Sequence, residues 1–467
     1  MFTLSSQKLV PVIKFFPMEN FSPVNVFQNF ANDKFSFLLE SARYHPITGR
    51  YSFIGFNPFL IFKSKKNNIE IIYQNKKQKF SAHPIETLKK IMKSFKIEKK
   101  NNLPIFTGGA VGYFSYDLVH FFEKVPCKSI DDLDLPECYL LFVKEVIVFD
   151  HLKNKIFIVV NAKEEEKKQA KERIKEIEEK YFKNNVPFCD EIISKQKIGK
   201  IKSNFTKKNF EKIVKIAKEY IKAGDIFQVN LSQRFNVDIE IHPFIIYKLL
   251  REINPSPFAS YFNFDDLKIV SCSPERLLHK KNKIVQTRPI AGTRPKGKNN
   301  ELLLDPKEKA EHIMLVDLER SDLGRICEYG TVVADEIMGI EDYSHVSHIV
   351  SNVKGVLKNN IDVFDCLKAC FPGGTITGTP KIRSMEIIEE LEPIKRGIYT
   401  GSIGFIDFSG DFDINIVIRT FIIKNNKAYI QVGAGIVADS IPEREYFETL
   451  YKAQALIETL NKLKNKK

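Results

Sequence analysis

The sequence predicts an α+β fold dominated by antiparallel pairing, on three observations. Short strand-like runs fill the first 160 residues, hairpin turns recur near the C-terminus, and helices mix with strands after residue 203 without a regular strand–helix–strand rhythm. That last feature argues against a doubly wound parallel sheet.

Residues 1–160 form a β-rich region: RYSFIGFNPFLIFK, LLFVKEVIVFD and KIFIVV are rich in Ile, Val and Phe, which fit a pleated, half-buried surface. Residues 161–203 are expected to be a charged helix and linker, because AKEEEKKQAKERIKEIEEKYFK has strong helix formers and few apolar positions. An exposed helix follows from that pattern. Residues 204–460 form the third region. Thr206 can cap a helix whose Phe210, Ile213, Val214, Ala217 and Ile221 keep helical spacing, with Gly224 placed as a C-terminal cap. Strands are expected at 226–239, 268–278 and 283–290. Asp305 with Pro306, and Thr379 with Pro380, signal two further helix starts, the second helix ending before Pro393. Turns at 409–411 and at Asn425 and Asn426 close two hairpins, and a last helix begins near Pro442.

A chain of 467 residues with 43% hydrophobic content suits an enzyme-sized globular protein. Its seven cysteines form no C-x-x-C pair, which favours a reducing cytoplasm over a disulfide framework or zinc site. Neither a leader nor a membrane span is expected. The net charge of +14 raises nucleic acid as a partner, but most of the excess is lysine interleaved with Glu or Asn, a solvated surface. No nucleic-acid partner is expected.

Three constellations could carry chemistry. Glu308 and Glu311 lie three apart on the helix opened by Asp305, and Glu445 and Glu448 repeat that spacing on the last helix, with Lys452 one turn on. Two acidic pairs can hold Mg2+, which prefers oxygen ligands; solvated helix faces would show the same spacing. PIAGT (289–293), FPGGTITGTPK (371–381) and VGAGIVADS (432–440) place small residues at strand ends, where backbone N–H groups can approach an anion, or where a fold simply turns. The glycines of FPGGTITGTPK also precede a helix N-terminus. Arg419 falls in an alternating apolar strand, Tyr399 precedes Gly401, and His345 and His348 lie on opposite faces of a strand, one packed and one at a site.

Together these segments resemble the chorismate-utilising family: anthranilate synthase component I, aminodeoxychorismate synthase component I, and the isochorismate and salicylate synthases. The motifs run from LLESA (38–42) and GRYSFIGFNP (49–58), through KEKAEHIMLVDLERSDLGR (307–325), to EREYFETLYKA (443–453). The resemblance implies two large antiparallel sheets forming a sandwich, helices outside, and a site in the cleft between sheets. By the resemblance, Glu311 and Glu448 ligate Mg2+ while Glu308 and Glu445 complete the acidic shell. Tyr399, Arg419, Gly433, Ala434, Gly435 and Lys452 match positions that bind the substrate carboxylates, and Gly292 and Thr293 match a backbone contact. His348 and Thr375 match residues beside the reacting ring. Glu275, in SPER, is the natural general acid for the departing 4-hydroxyl.

Where the water-using relatives carry lysine, this chain has Gln228, which cannot serve as a base. The resemblance then implies amination of chorismate. The chain shows no amidotransferase nucleophile segment, so ammonia is free or comes from a glutamine amidotransferase subunit. GYFSYD, QVNLSQRF, NPSPFASY, SPERLL, FPGGTITG, GSIGF and DINIVIRT look like the aminodeoxychorismate synthases, whose product, 4-amino-4-deoxychorismate, leads to 4-aminobenzoate and folate. Against them stands Ala291, where some of those enzymes use a lysine nucleophile. The alternative is anthranilate with release of pyruvate, on the route to tryptophan. LLES resembles a tryptophan-binding segment, which makes Ser41, Pro257 and Phe258 a tryptophan-like pocket and allows a bound tryptophan.

Overall fold

The computed structural model describes residues 4–42, 49–97, 103–183, 197–295, 304–342 and 346–465. Its apolar runs pair into two sheets that are antiparallel except where residues 7–9 run beside Phe95–Ile97. In the first, of 14 strands, Gln228–Glu240 is followed by Lys427–Ile436, Thr420–Lys424, Leu267–Ser273, Phe258–Asn263, Ser36–Glu40, Tyr51–Gly55, Glu145–Asp150, Lys155–Ala162 and Gln7–Pro17. The second has 12 strands and runs from Ile290–Pro295 through Val346–Val356, Ile284–Arg288, Arg276–Lys281, Phe412–Asn415, Ser402–Asp407 and Gly109–Phe114 to Cys138–Val143 and beyond. Both sheets continue across residue 203: Ser36–Glu40 pairs with Phe258–Asn263, and Gly109–Phe114 with Ser402–Asp407.

A buried layer that includes Phe37, Phe53, Val111, Leu141, Val148, Phe262, Ile269 and Phe405 fills the space between the sheets. Alternation along each strand sends every second side chain into this layer. Helices cover the outer faces, as in Lys207–Lys222, Pro243–Ile253 and Pro442–Asn465. The α+β sandwich expected from the sequence is the observed fold.

Several local expectations change. The charged helix, Lys167–Glu178, is not exposed all round, because Ala170, Ile174 and Ile177 pack against the first sheet. Thr379 lies in a short strand rather than capping a helix; the helix is Lys381–Leu391, preceded by Pro380. The glycines of FPGGTITGTPK therefore do not lead straight into a helix, since the turn Gly374–Ile376 and the strand Gly378–Thr379 intervene. The run at 268–278 divides into Leu267–Ser273 in the first sheet and Arg276–Lys281 in the second. Arg419 is not within a strand: it stands between Phe412–Asn415 and Thr420–Lys424 with φ 54°. At both places the chain crosses from one sheet to the other.

Candidate active site

The two crossings lie side by side. The amide of Ile416 donates to Glu275 O at 3.0 Å, and Cys272 N donates to Arg419 O at 3.1 Å. The turn carrying Tyr399 docks on the same place through Thr400 N to Val417 O, 2.8 Å, and Val417 N to Gly401 O, 2.9 Å. Beneath it, buried Arg396 pairs with Glu392 at 2.7 Å and donates to Ile376 O at 2.8 Å and Asn230 O at 2.6 Å. One guanidinium thus fixes three site segments, and buried Glu392 is satisfied in turn by the Ser232 amide at 2.8 Å.

Around this junction the sequence-predicted residues gather. Gln228 Nε2 donates to Glu311 Oε1 at 3.0 Å. Burial raises the Glu311 carboxyl above its ordinary range, the negative charges of Glu308 and Glu448 raise it further, and Lys452 opposes them. Lys452 pairs with half-exposed Glu448 at 2.8 Å and donates to Gly433 O at 3.0 Å. Glu445 lies one turn before Glu448 on the same helix. Arg419 donates to the Lys452 carbonyl, yet among the described residues it has no carboxylate partner, and burial lowers its pKa. Tyr399 lies beside it and is raised by burial.

His348 Nδ1 is 3.0 Å from Gly292 O, so the neutral ring keeps its proton on Nδ1 and Nε2 is the basic nitrogen. Burial lowers its pKa, and Arg419 acts in the same direction. Gly292 has φ 65° at an irregularity in the pairing of Ile290–Pro295 with Val346–Val356, where Thr293 is opposite His348. The side chains of Ala291 and Thr293, and all of His345, lie outside the described residues.

Glu275 is buried, and desolvation pushes its carboxyl up to about 7 against the milder opposing effects of Thr375, the Ile290 amide and Lys452. Glu275 Oε1, Thr375 Oγ1, Gln228 Oε1 and Asn230 Oδ1 are all buried without a hydrogen-bond partner. Orphaned atoms are costly one by one, so their concentration marks a place built for a polar ligand. The sequence marks Asn230 only as part of QVNLSQRF, with no signal of its own. Also missed was buried Glu319, pushed up to about 8 by burial and Asp322, whose partner Lys381 lies on another helix.

The glycines of VGAG are within Lys427–Ile436, near its end, rather than beyond it. A Cβ at Gly433 would meet Asn230 Oδ1 at 2.2 Å and Tyr399 Oη at 2.8 Å, and one at Gly435 would meet Gln228 Nε2 at 2.8 Å. The absence of side chains there keeps space between these polar groups. Gly433→Ala is expected to raise the KM for substrate about tenfold or more while leaving the far-ultraviolet circular dichroism unchanged.

A separate cavity of about 190 Å3 is lined by Pro257, Phe258, Glu40, Arg276 and Phe405 among others. Ser41 is not in its lining; its amide donates to Ser52 Oγ at 3.3 Å. Glu40 is held by Arg251 at 2.7 Å and by Tyr247 Oη at 2.8 Å.

A two-sheet sandwich whose sheet crossings gather carboxylates, cations and orphaned polar atoms defines an enzyme for a small, polar, anionic substrate. Residues 53–458 match the family model described as chorismate binding enzyme. The chain is 46% identical to anthranilate synthase component 1 of Acetivibrio thermocellus, covering 94% of this chain and 92% of that protein. It is 41% identical to aminodeoxychorismate synthase component 1 of Bacillus subtilis, covering 96% of each. The crystal structure of anthranilate synthase component I from Streptococcus pneumoniae superposes with a TM-score of 0.79 at 37% identity, over 88% of this chain and 93% of that one. The chain belongs to the chorismate-binding enzyme family.

Proposed function

We propose that this protein aminates chorismate to 4-amino-4-deoxychorismate, using ammonia delivered by a glutamine amidotransferase subunit. The observation that carries the reaction class is Glu275, a buried carboxyl pushed up to about 7 beside Thr375, suited to hand a proton to the leaving 4-hydroxyl. Arg419, which has no carboxylate partner among the described residues, together with Tyr399, Lys452 and the backbone of Gly433, Ala434 and Gly435, supports binding of the substrate carboxylates. Gly292 and Thr293 supply backbone contacts, and His348 lies beside the ring. Gln228, committed to Glu311 through its amide, offers no base to activate water.

The donor set of Glu308, Glu311, Glu445 and Glu448 fits Mg2+: it is all oxygen, and the repulsion from Glu308 and Glu448 that adds to the effect of burial on Glu311 is what a divalent cation relieves. When bound, Mg2+ would neutralise the ring carboxylate and polarise the conjugated ring. The cavity lined by Pro257 and Phe258 supports a tryptophan-like pocket away from this chemistry.

The choice of C4 rests on the segments QVNLSQRF, FPGGTITG and DINIVIRT. Ala291 favours a second reading, anthranilate with loss of pyruvate, because it removes a nucleophile at that position. Incubating the protein with chorismate, Mg2+ and ammonium salt and separating the products decides between them. The expected product is one that aminodeoxychorismate lyase converts to 4-aminobenzoate; anthranilate with equimolar pyruvate would overturn the proposal.

A further inference from the structure

A second cluster of ligating side chains lies away from the glutamates. Asp117 and His120 belong to the short turn Tyr116–Phe121, and Glu389 to the helix Lys381–Leu391. One ligating atom from each falls within 4.8 Å of the others. Asp117 and Glu389 are only 4% and 5% exposed. Asp117 Oδ2 accepts from the Gly397 amide at 3.0 Å, but its Oδ1 is buried with no hydrogen bond, 3.6 Å from Lys395 Nζ. His120 Nε2 is likewise buried and unsatisfied. Glu389 Oε2 is fixed by Lys128 N at 3.0 Å, Ser129 N at 3.2 Å and Ser129 Oγ at 2.9 Å. The exposed thiol of Cys127, next in sequence to Lys128, touches Lys395.

We propose that Asp117, His120 and Glu389, with Cys127 at the rim, form a transition-metal site for an ion such as Zn2+ or Co2+. The contacts within the protein engage both carboxylates but leave His120 Nε2 buried without a partner. An imidazolium bridging the two acids would be the ordinary use of such a histidine, yet no hydrogen bond or ion pair joins His120 to either carboxylate. Tetrahedral Zn2+ at 2.0–2.2 Å from its ligands sets them roughly 3.4 Å apart, so a closure on the order of 1 Å completes the shell. Charge favours it too. Two carboxylates face one ammonium, and nearby Asp131 is already engaged by Lys65 at 2.7 Å; a divalent cation offsets the negative charge left over. An imidazole nitrogen donor favours Zn2+ or Co2+ over Mg2+, which separates this site from the all-oxygen glutamate cluster. The ion would join the segment 117–129 to the helix that leads, through Gly397, to Tyr399.

Cobalt reports the coordination directly. Titrating the chelator-treated full chain with Co2+ in saturating Mg2+ is expected to give one equivalent with the visible absorption of a tetrahedral ion. His120→Ala, and His120→Gln where side-chain volume must be kept, are expected to weaken that binding at least about tenfold while chorismate turnover stays near wild type. Zn2+ should raise the wild-type Tm and leave that of His120→Gln unchanged. No tetrahedral band, or a band of equal affinity in both His120 variants, would show adventitious binding only and overturn the proposal.

Discussion

Glu311→Gln is expected to lower chorismate turnover by about 10²-fold or more and to raise the Mg2+ concentration needed for half-maximal rate. Of the four glutamates, Glu311 receives the Gln228 amide at 3.0 Å while the charges of Glu308 and Glu448 bear on it. Glutamine keeps the volume and the contact with Gln228 but removes one of the cluster's negative charges. Glu448→Ala should act in the same direction, with a difference. Glu448 is half-exposed and already neutralised by Lys452 at 2.8 Å, so its loss also releases the ammonium that reaches Gly433 O. Initial rates against Mg2+ at saturating chorismate separate the two. If Glu311→Gln turned over chorismate normally with an unchanged Mg2+ requirement, the glutamates would be no more than solvated helix faces.

What the sequence made legible is chemistry that acts locally. Thr206 accepts from Asn209 N at 3.2 Å at a helix start, and Gly224 takes φ 85° after the helix end, both as cap rules require. The i,i+3 spacing likewise put the glutamate pairs on helices, and period-2 alternation found most strands. A change of sheet leaves no such mark. INIVIRTFII is strongly apolar on both sides of the left-handed residue Arg419, because apolar side chains are wanted on either side of a crossing. Leu267–Ser273 and Arg276–Lys281 read as one strand for the same reason. Glu275 and Arg419 were therefore legible as candidates by residue type and through family resemblance. Their juxtaposition was not, since it depends on two crossings far apart in the chain. Asn230 illustrates the remainder: its Oδ1 occupies the place that a side chain at Gly433, on the neighbouring strand, would fill.

Glu275→Gln should cost about 10²–10⁴-fold in kcat, the range for loss of a general acid. It should also change the pH profile. Wild-type Glu275 is needed protonated, so with its pKa near 7 the rate at fixed free ammonia should fall about tenfold per unit above that pH, a limb the glutamine variant lacks. Stability moves the other way. A carboxyl raised from 4.5 to about 7 in the folded state favours folding below its unfolded pKa, and that advantage is lost as pH rises through about 7. At pH 8 the wild type carries a buried ionised group whose cost, from the shift, is on the order of 3 kcal/mol. Glutamine never ionises. Glu275→Gln is accordingly expected to show a higher Tm than wild type at pH 8, with the gap narrowing toward pH 5. A catalytic loss without that pH-dependent gain would mean that Glu275 is already ionised in the folded protein, and that another group supplies the proton to the leaving hydroxyl.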